Sequence, residues 1–234
     1  MIMDNLLHIS SSPHIHSSRT TQNIMLDVII ALLPATVAGI VIFGLRALLV
    51  IAVCGVFCVG TEFLFNLAIK KQQTLFDLSA VVTALLLALN LPANIPLWQA
   101  AVGSVFAIAV VKCLFGGIGK NLFNPAIAGR VFMLVAFGSM AKAAFPQGID
   151  AASSATPLVE LSEGKTLNLL DLFLGKHGGS IGETCALALL IGGIYLLARK
   201  VITWHIPISF IATVFVFSLI IGSFTTDFLR YPSV

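Results

Sequence analysis

Apolar residues run through this chain in blocks, at 24–43, 47–69, 78–91, 97–115, 126–143, 181–198 and 203–224, with short polar links between them. A helix needs about 20 consecutive apolar residues to cross a bilayer, so these blocks predict transmembrane helices rather than the faces of a soluble core. The third block is the exception. At 1.5 Å per residue, 78–91 reaches only about 21 Å against a hydrocarbon core of about 30 Å. It stops at Asn90-Leu91-Pro92, and the turn Pro92-Ala93-Asn94-Ile95-Pro96 opens the fourth block, where Trp98 suits an interfacial anchor. The pair predicts a hairpin containing one broken helix. Pro34 kinks the first block, and Asp77 stands where it caps the third.

The pattern predicts an all-α, polytopic membrane helix bundle of about seven spans, with at least one short or broken helix and one long loop. Four regions follow. Residues 1–23 form a polar N-terminal tail, 24–143 hold spans one to five, 144–180 are the longest non-spanning segment, and 181–234 hold spans six and seven. The tail carries His8, His14, His16 and Arg19 without a signal-peptide core, so the first span is expected to act as its own insertion signal. A short amphipathic piece is expected at 166–176.

Composition sharpens this picture. Of 234 residues 58% are hydrophobic and 10% charged, mean hydropathy is +1.04 and formal charge is +3. A soluble domain averages about 25% charged residues. Lipid and other hydrophobic proteins are the expected partners, and no basic patch invites nucleic acid. The four cysteines, Cys54, Cys58, Cys113 and Cys185, lie in apolar segments and read as small hydrophobes; Cys54 and Cys58 share a helical face but lack further ligands at metal-site spacing. No independent catalytic constellation and no metal site is expected. Placing the N-terminus in the cytoplasm puts Lys70-Lys71, Lys120 and Arg199-Lys200 on the inner side and the long loop outside, in keeping with the positive-inside rule.

Charges inside the blocks are costly, at least about 2.5 kcal/mol for a lone ion by insertion scales. Asp27, Glu62, Lys112 and Arg130 are expected at one depth near the inner end of spans one, two, four and five. Glu62 is expected to pair with Lys112 or Arg130 in an inner polar cluster, beside an ion path or a second cofactor. The alternative is snorkelling of Lys112 and Arg130 to headgroups.

Two motifs carry candidate chemistry. The link Gly116-Gly117-Ile118-Gly119-Lys120-Asn121-Leu122-Phe123-Asn124-Pro125 is no P-loop, since no Gly-Lys-Ser/Thr closes it, but it brings Asn121 and Asn124 to the mouth of an apolar helix that starts with Pro125. In the long loop, Asp150-Ala151-Ala152-Ser153-Ser154-Ala155-Thr156-Pro157-Leu158 displays a hydroxyl among small residues. Thr156 reads locally as a helix N-cap with Pro157 at the first helical position, a place where a linked phosphate would also be favoured.

Both motifs resemble the D subunit of the Rnf complex and its relative, the B subunit of the sodium-pumping NADH:quinone reductase. The similarity runs from Ser12-Pro13-His14 to Ala155-Thr156-Pro157-Leu158. It implies a bacterial inner-membrane subunit of a complex that moves electrons between ferredoxin and NAD while translocating sodium ions or protons. Thr156 would carry FMN through a phosphoester installed by a flavin transferase, with Asp150 and Ser153 shaping the loop. Asn121, Asn124 and Arg130 are candidates for flavin or ion contacts, and riboflavin is the candidate second flavin. Ser154 departs from the glycine of some relatives, and family members continue for several helices beyond the position of Val234, so a shortened protein or a fragment is expected. The rival reading is a solute channel or transporter of urea-channel-like architecture, using the broken helix and Asn90, Asn94, Asn121 and Asn124 without redox chemistry.

Overall fold

A computed structural model describes residues 20–138, 144–146, 169–175 and 177–230, the stretch 221–230 as backbone only. Helix α1, Thr21–Phe43, starts where Thr20 accepts a hydrogen bond from the Asn23 amide at 3.3 Å, and it carries Pro34 within it. Gly44, at φ 69°, turns the chain directly into α2, Leu45–Ala68. Only glycine takes that backbone angle without strain. Among the described residues, α1 and α2, at 23 and 24 residues, are the two helices long and apolar enough to cross a bilayer on length and composition.

Helix α2 buries one stripe, Ala47, Val50, Cys54, Cys58, Glu62 and Asn66, at helical spacing. The stripe is apolar for most of its length and polar at its last two positions. A single 3₁₀ turn, Leu75–Asp77, follows, and Asp77 Oδ1 accepts the Ser79 amide at 2.9 Å to start α3, Ser79–Leu89. The cap expected from Asp77 is present, and α3 is short as the sequence implied, eleven residues. Helix α4, Leu97–Val105, runs on as a π-helix over Phe106–Cys113. Helix α5, Pro125–Ala136, is capped by Asn124, whose Oδ1 accepts the Ala126 amide at 3.0 Å. Helix α6, Leu169–Leu174, lies inside the stretch expected to be amphipathic. Ala144 and Gly179 exchange backbone hydrogen bonds at 3.3 and 2.8 Å, closing the long segment at its base.

Two blocks end or begin elsewhere than the apolar pattern suggests. The run at 126–143 predicts a longer helix, yet Phe137 leaves α5 in an extended conformation and sets its ring edge-on to Trp98, centroids 5.2 Å apart. The run at 181–198 predicts a helix from its first residue, whereas the helix found there, α7, covers only Ala186–Ala198. Residues 181–182 instead cap the broken helix: the Ile181 amide donates to Leu91 O at 3.0 Å and the Gly182 amide to Leu89 O at 2.8 Å. Leu89 O is a carbonyl that α3 leaves unpaired at its C-terminus, and Leu91 O lies two residues beyond it.

Helix α3 lies at the centre, packed on α1, α2 and α5, while α2 also packs on α4 and α1 on α7. Ala84, Leu87, Ala88, Leu91, Ala107 and Ile108 are buried where these helices meet. Helix α8, His205–Arg230, exposes nearly all of its described side chains, with Pro207 half-buried. Among the described residues the chain is all-helical apart from the Ala144–Gly179 bridge.

Candidate functional site

The last two residues of the α2 stripe, the turn before α3 and the π-helix converge on one buried charge pair. Lys112 Nζ lies 2.9 Å from both Oε1 and Oε2 of Glu62, and each side chain is 2% exposed. Burial without a partner would be prohibitive for either ion, so the pairing expected for Glu62 is met by Lys112, and the snorkelling alternative is excluded for that lysine. Further hydrogen bonds complete the cage. Thr74 Oγ1 donates to Glu62 Oε1 at 2.7 Å and accepts from Asn66 Nδ2 at 3.1 Å. Lys112 also donates to Ser79 Oγ, which donates in turn to Asp77 Oδ1 at 2.6 Å.

Of the two partners expected for Glu62, the structure selects Lys112. Arg130 instead donates to Asn90 Oδ1 at 2.9 Å, at the broken end of α3. Asp27, 4% exposed, accepts from Tyr195 Oη at 3.0 Å and from Arg199 Nε at 3.1 Å, tying α1 to α7. Asp27 and Arg130 thus have partners of their own, apart from the Glu62–Lys112 pair.

Two cavities flank the Glu62–Lys112 pair. One, of about 390 Å³, is lined by Glu62, Asn66, Lys71, Thr74, Asp77 and Cys113. The other, of about 360 Å³, is lined on its polar side by Ser79, Thr83, Lys112, Asn121 and Asn124. The glycine-rich link covers both: Gly116 and Gly117 border the first cavity and Gly119 the second, with φ of 104°, 97° and 78°. Lys71 Nζ clasps it by donating to Gly116 O at 3.0 Å. Asn121, with its amide nitrogen turned to donate to Lys112 O at 3.2 Å and Gly117 O at 3.1 Å, knits the link to the π-helix.

The structure thus brings Asn121 and Asn124 to one cavity and leaves Arg130 outside its lining. That cavity falls within the usual range for small-molecule sites, about 300–1,000 Å³, and mixes apolar walls from Met25, Val82, Leu86 and Phe123 with convergent polar groups. Asn124 Nδ2 has no protein partner among the described residues, because the cap uses only Oδ1. Asp150, Ser153 and Thr156 lie outside the described residues. Sequence reasoning did not single out Asn66, Thr74 and Ser79. The spacing of Asn66 four residues after Glu62 was a usable signal, whereas Thr74 sits in an ordinary polar link.

Known proteins resemble the chain over most of its length. A family model described as the NQR2, RnfD, RnfE family matches residues 8–233. The D subunit of a Na(+)-translocating ferredoxin:NAD(+) oxidoreductase complex from Acetobacterium woodii is 48% identical over 222 residues, spanning 92% of this chain and 70% of that protein. The D subunit of a proton-translocating ferredoxin:NAD(+) oxidoreductase complex from Clostridium ljungdahlii is 39% identical over 246 residues, 99% of this chain and 74% of that protein. Its counterpart in an ion-translocating oxidoreductase complex from Ectopseudomonas mendocina is 36% identical over 234 residues, 90% and 68% of the two chains. The resemblance seen in the motifs is borne out by this likeness, and the protein belongs to the NQR2, RnfD, RnfE family.

Proposed function

We propose that this chain is the D-type membrane subunit of an ion-translocating ferredoxin:NAD oxidoreductase, seated in the bacterial inner membrane with its N-terminus in the cytoplasm and partnered by the other subunits of the complex. The observation that carries the proposal is the 48% identity to such a subunit over 92% of the chain. In this reading Thr156, on the extracytoplasmic loop, holds FMN through its hydroxyl after the action of a flavin transferase. Pro157 and the amides that follow would favour the phosphate there. The cavity bearing Asn121 and Asn124 is the contact for a second flavin, with riboflavin the candidate. Bound flavin would supply electron acceptance and donation, while the chain supplies position and electrostatics. Asn124 Nδ2 would donate to a ring carbonyl, the apolar walls would exclude water, and the link at 116–119 would cover the ligand.

The test is flavin fluorescence of the denatured, washed protein in a gel after expression with the transferase. The parent shows a fluorescent band and Thr156→Val does not. A parent without a band, with the transferase present, favours the channel or transporter reading. That reading draws support from one feature, the broken α3 whose end is met by Ile181 and Gly182 beside a cavity of about 190 Å³.

A further inference from the structure

Three helix ends in this bundle close with the same turn. At the end of α2 the Lys71 amide donates to Asn66 O at 2.9 Å and the Lys70 amide to Leu67 O at 3.2 Å. At the end of α7 the Val201 and Lys200 amides reach Leu196 O and Leu197 O, both at 3.0 Å. The Gly117 and Gly116 amides do the same after the π-helix, reaching Lys112 O and Cys113 O, both at 3.0 Å. This pair of bonds holds one residue in the left-handed region, where glycine is the usual occupant because a Cβ is crowded there. Gly116 obeys, at φ 104°. Lys70, at φ 57°, and Lys200, at φ 55°, do not. A residue kept against the local backbone preference points to a use for its side chain.

The two lysines have matching surroundings. Each has a basic neighbour already spent on protein oxygen, since Lys71 donates to Gly116 O and Arg199 to Asp27. Lys70 and Lys200 themselves are exposed, and their ammonium groups meet no acceptor among the described residues. No acid lies within three residues of either along the chain. Large apolar side chains stand exposed beside them, Ile69 and Phe76 in one case, Ile202 and Trp204 in the other. Both lysines also lie at one face of the bundle. Helix α2 returns along α1 from the turn at Gly44, and α7 ends where Tyr195 and Arg199 meet Asp27 near the start of α1.

We propose that Lys70 and Lys200 are two docking points for the headgroups of anionic phospholipids in the inner leaflet. The lipid phosphate meets the ammonium, and the acyl chains take the apolar side chains next to it. An acidic soluble protein would match the charge but leave Ile69, Phe76, Ile202 and Trp204 with the wrong neighbour. Docking needs a bilayer but neither flavin nor electron transfer, and the leaflet alone follows from the proposed orientation.

The assembled complex is reconstituted in phosphatidylcholine nanodiscs with a rising fraction of phosphatidylglycerol in both leaflets, so orientation does not enter. Unfolding of this chain is followed through a fluorescent tag. A ligand that binds only the folded form raises the midpoint as its concentration grows, so the parent midpoint should climb with phosphatidylglycerol. Lys70→Gly and Lys200→Gly should each flatten the climb, and together they should at least halve it. Lys70→Arg and Lys200→Arg should keep it, as should Arg46→Gln at the opposite face. In phosphatidylcholine alone the glycine variants should melt at or above the parent, because glycine relieves the left-handed turn. Lys70→Gln and Lys200→Gln replace them if they do not assemble.

A parent that ignores phosphatidylglycerol overturns the docking points and leaves the lysines to an acidic protein partner. Glycine variants that keep the full climb overturn them as well, as does an equal loss in Arg46→Gln, which would reduce the effect to general surface charge. Glycine variants that melt below the parent in phosphatidylcholine would show that the lysines serve the fold instead. A climb reproduced by inorganic phosphate in phosphatidylcholine discs would assign them to a free anion and overturn the lipid.

Discussion

Lys112 and Glu62 are each 2% exposed, yet they are ionised partners in a bundle built from Leu, Ala, Val and Ile. A buried pair adds little net stability, because desolvation offsets attraction, but removing one member strands the other. Lys112→Met alone should therefore cost about 3–5 kcal/mol of unfolding free energy, and Glu62→Leu alone a similar amount. The apolar double variant Glu62→Leu/Lys112→Met should return to near the parent. Reversible denaturation of the detergent-solubilised chain checks this; additive losses in the double variant would show that the hydrogen bonds to Thr74 and Ser79, not the charge pair, dominate. This pair was legible in the sequence because an acid cannot stay alone in an apolar run. The partner of Arg130 was not, since an uncharged amide, Asn90, leaves no electrostatic signature in the chain.

Two helix ends show what the scale of an element adds. Asn124 serves α5 through Oδ1 and offers Nδ2 to the neighbouring cavity, so its two roles separate by substitution. Asn124→Ala loses the cap and should cost about 1 kcal/mol. Asn124→Asp keeps the acceptor, and its charge sits well at a helix N-terminus, so thermal stability should hold. Both variants lose the amide donor, so if the proposed second flavin sits here, riboflavin recovered by extraction of the complex should fall in both. Full recovery in Asn124→Asp would remove Nδ2 from the binding scheme. The start of α5 was readable from Asn124-Pro125, as was the stop of α3 from Asn90-Leu91-Pro92. The π-helix was not, because residues 106–111 are apolar in any register. Nor was the loop at 181–185, where Ile181 looks like the beginning of a span but is consumed in capping α3.

At the scale of the molecule, the chain closes on itself across its long segment. Helix α7 packs closely on α1, with Gly192 so near the Ala31 carbonyl that a side chain there would collide with it. Asp27 binds Tyr195 and Arg199 beside that contact, and residues 181–182 cap α3 from the same half of the sequence. These interactions join the first five helices to α7 with no need for the covalent connection. A chain cut between Val159 and Glu160 and co-expressed as two pieces should therefore reassemble in the membrane, and a tag on the N-terminal piece should recover the C-terminal piece from mild detergent. Gly182→Leu drives a side chain into Leu89, and Gly192→Leu into Ala31. Overpacking of this kind typically costs about 1–3 kcal/mol per site, so together the two should cut recovery by about tenfold or more. Unchanged recovery would mean that the halves are held elsewhere, with the cap on α3 and the α1–α7 contact following from assembly rather than causing it.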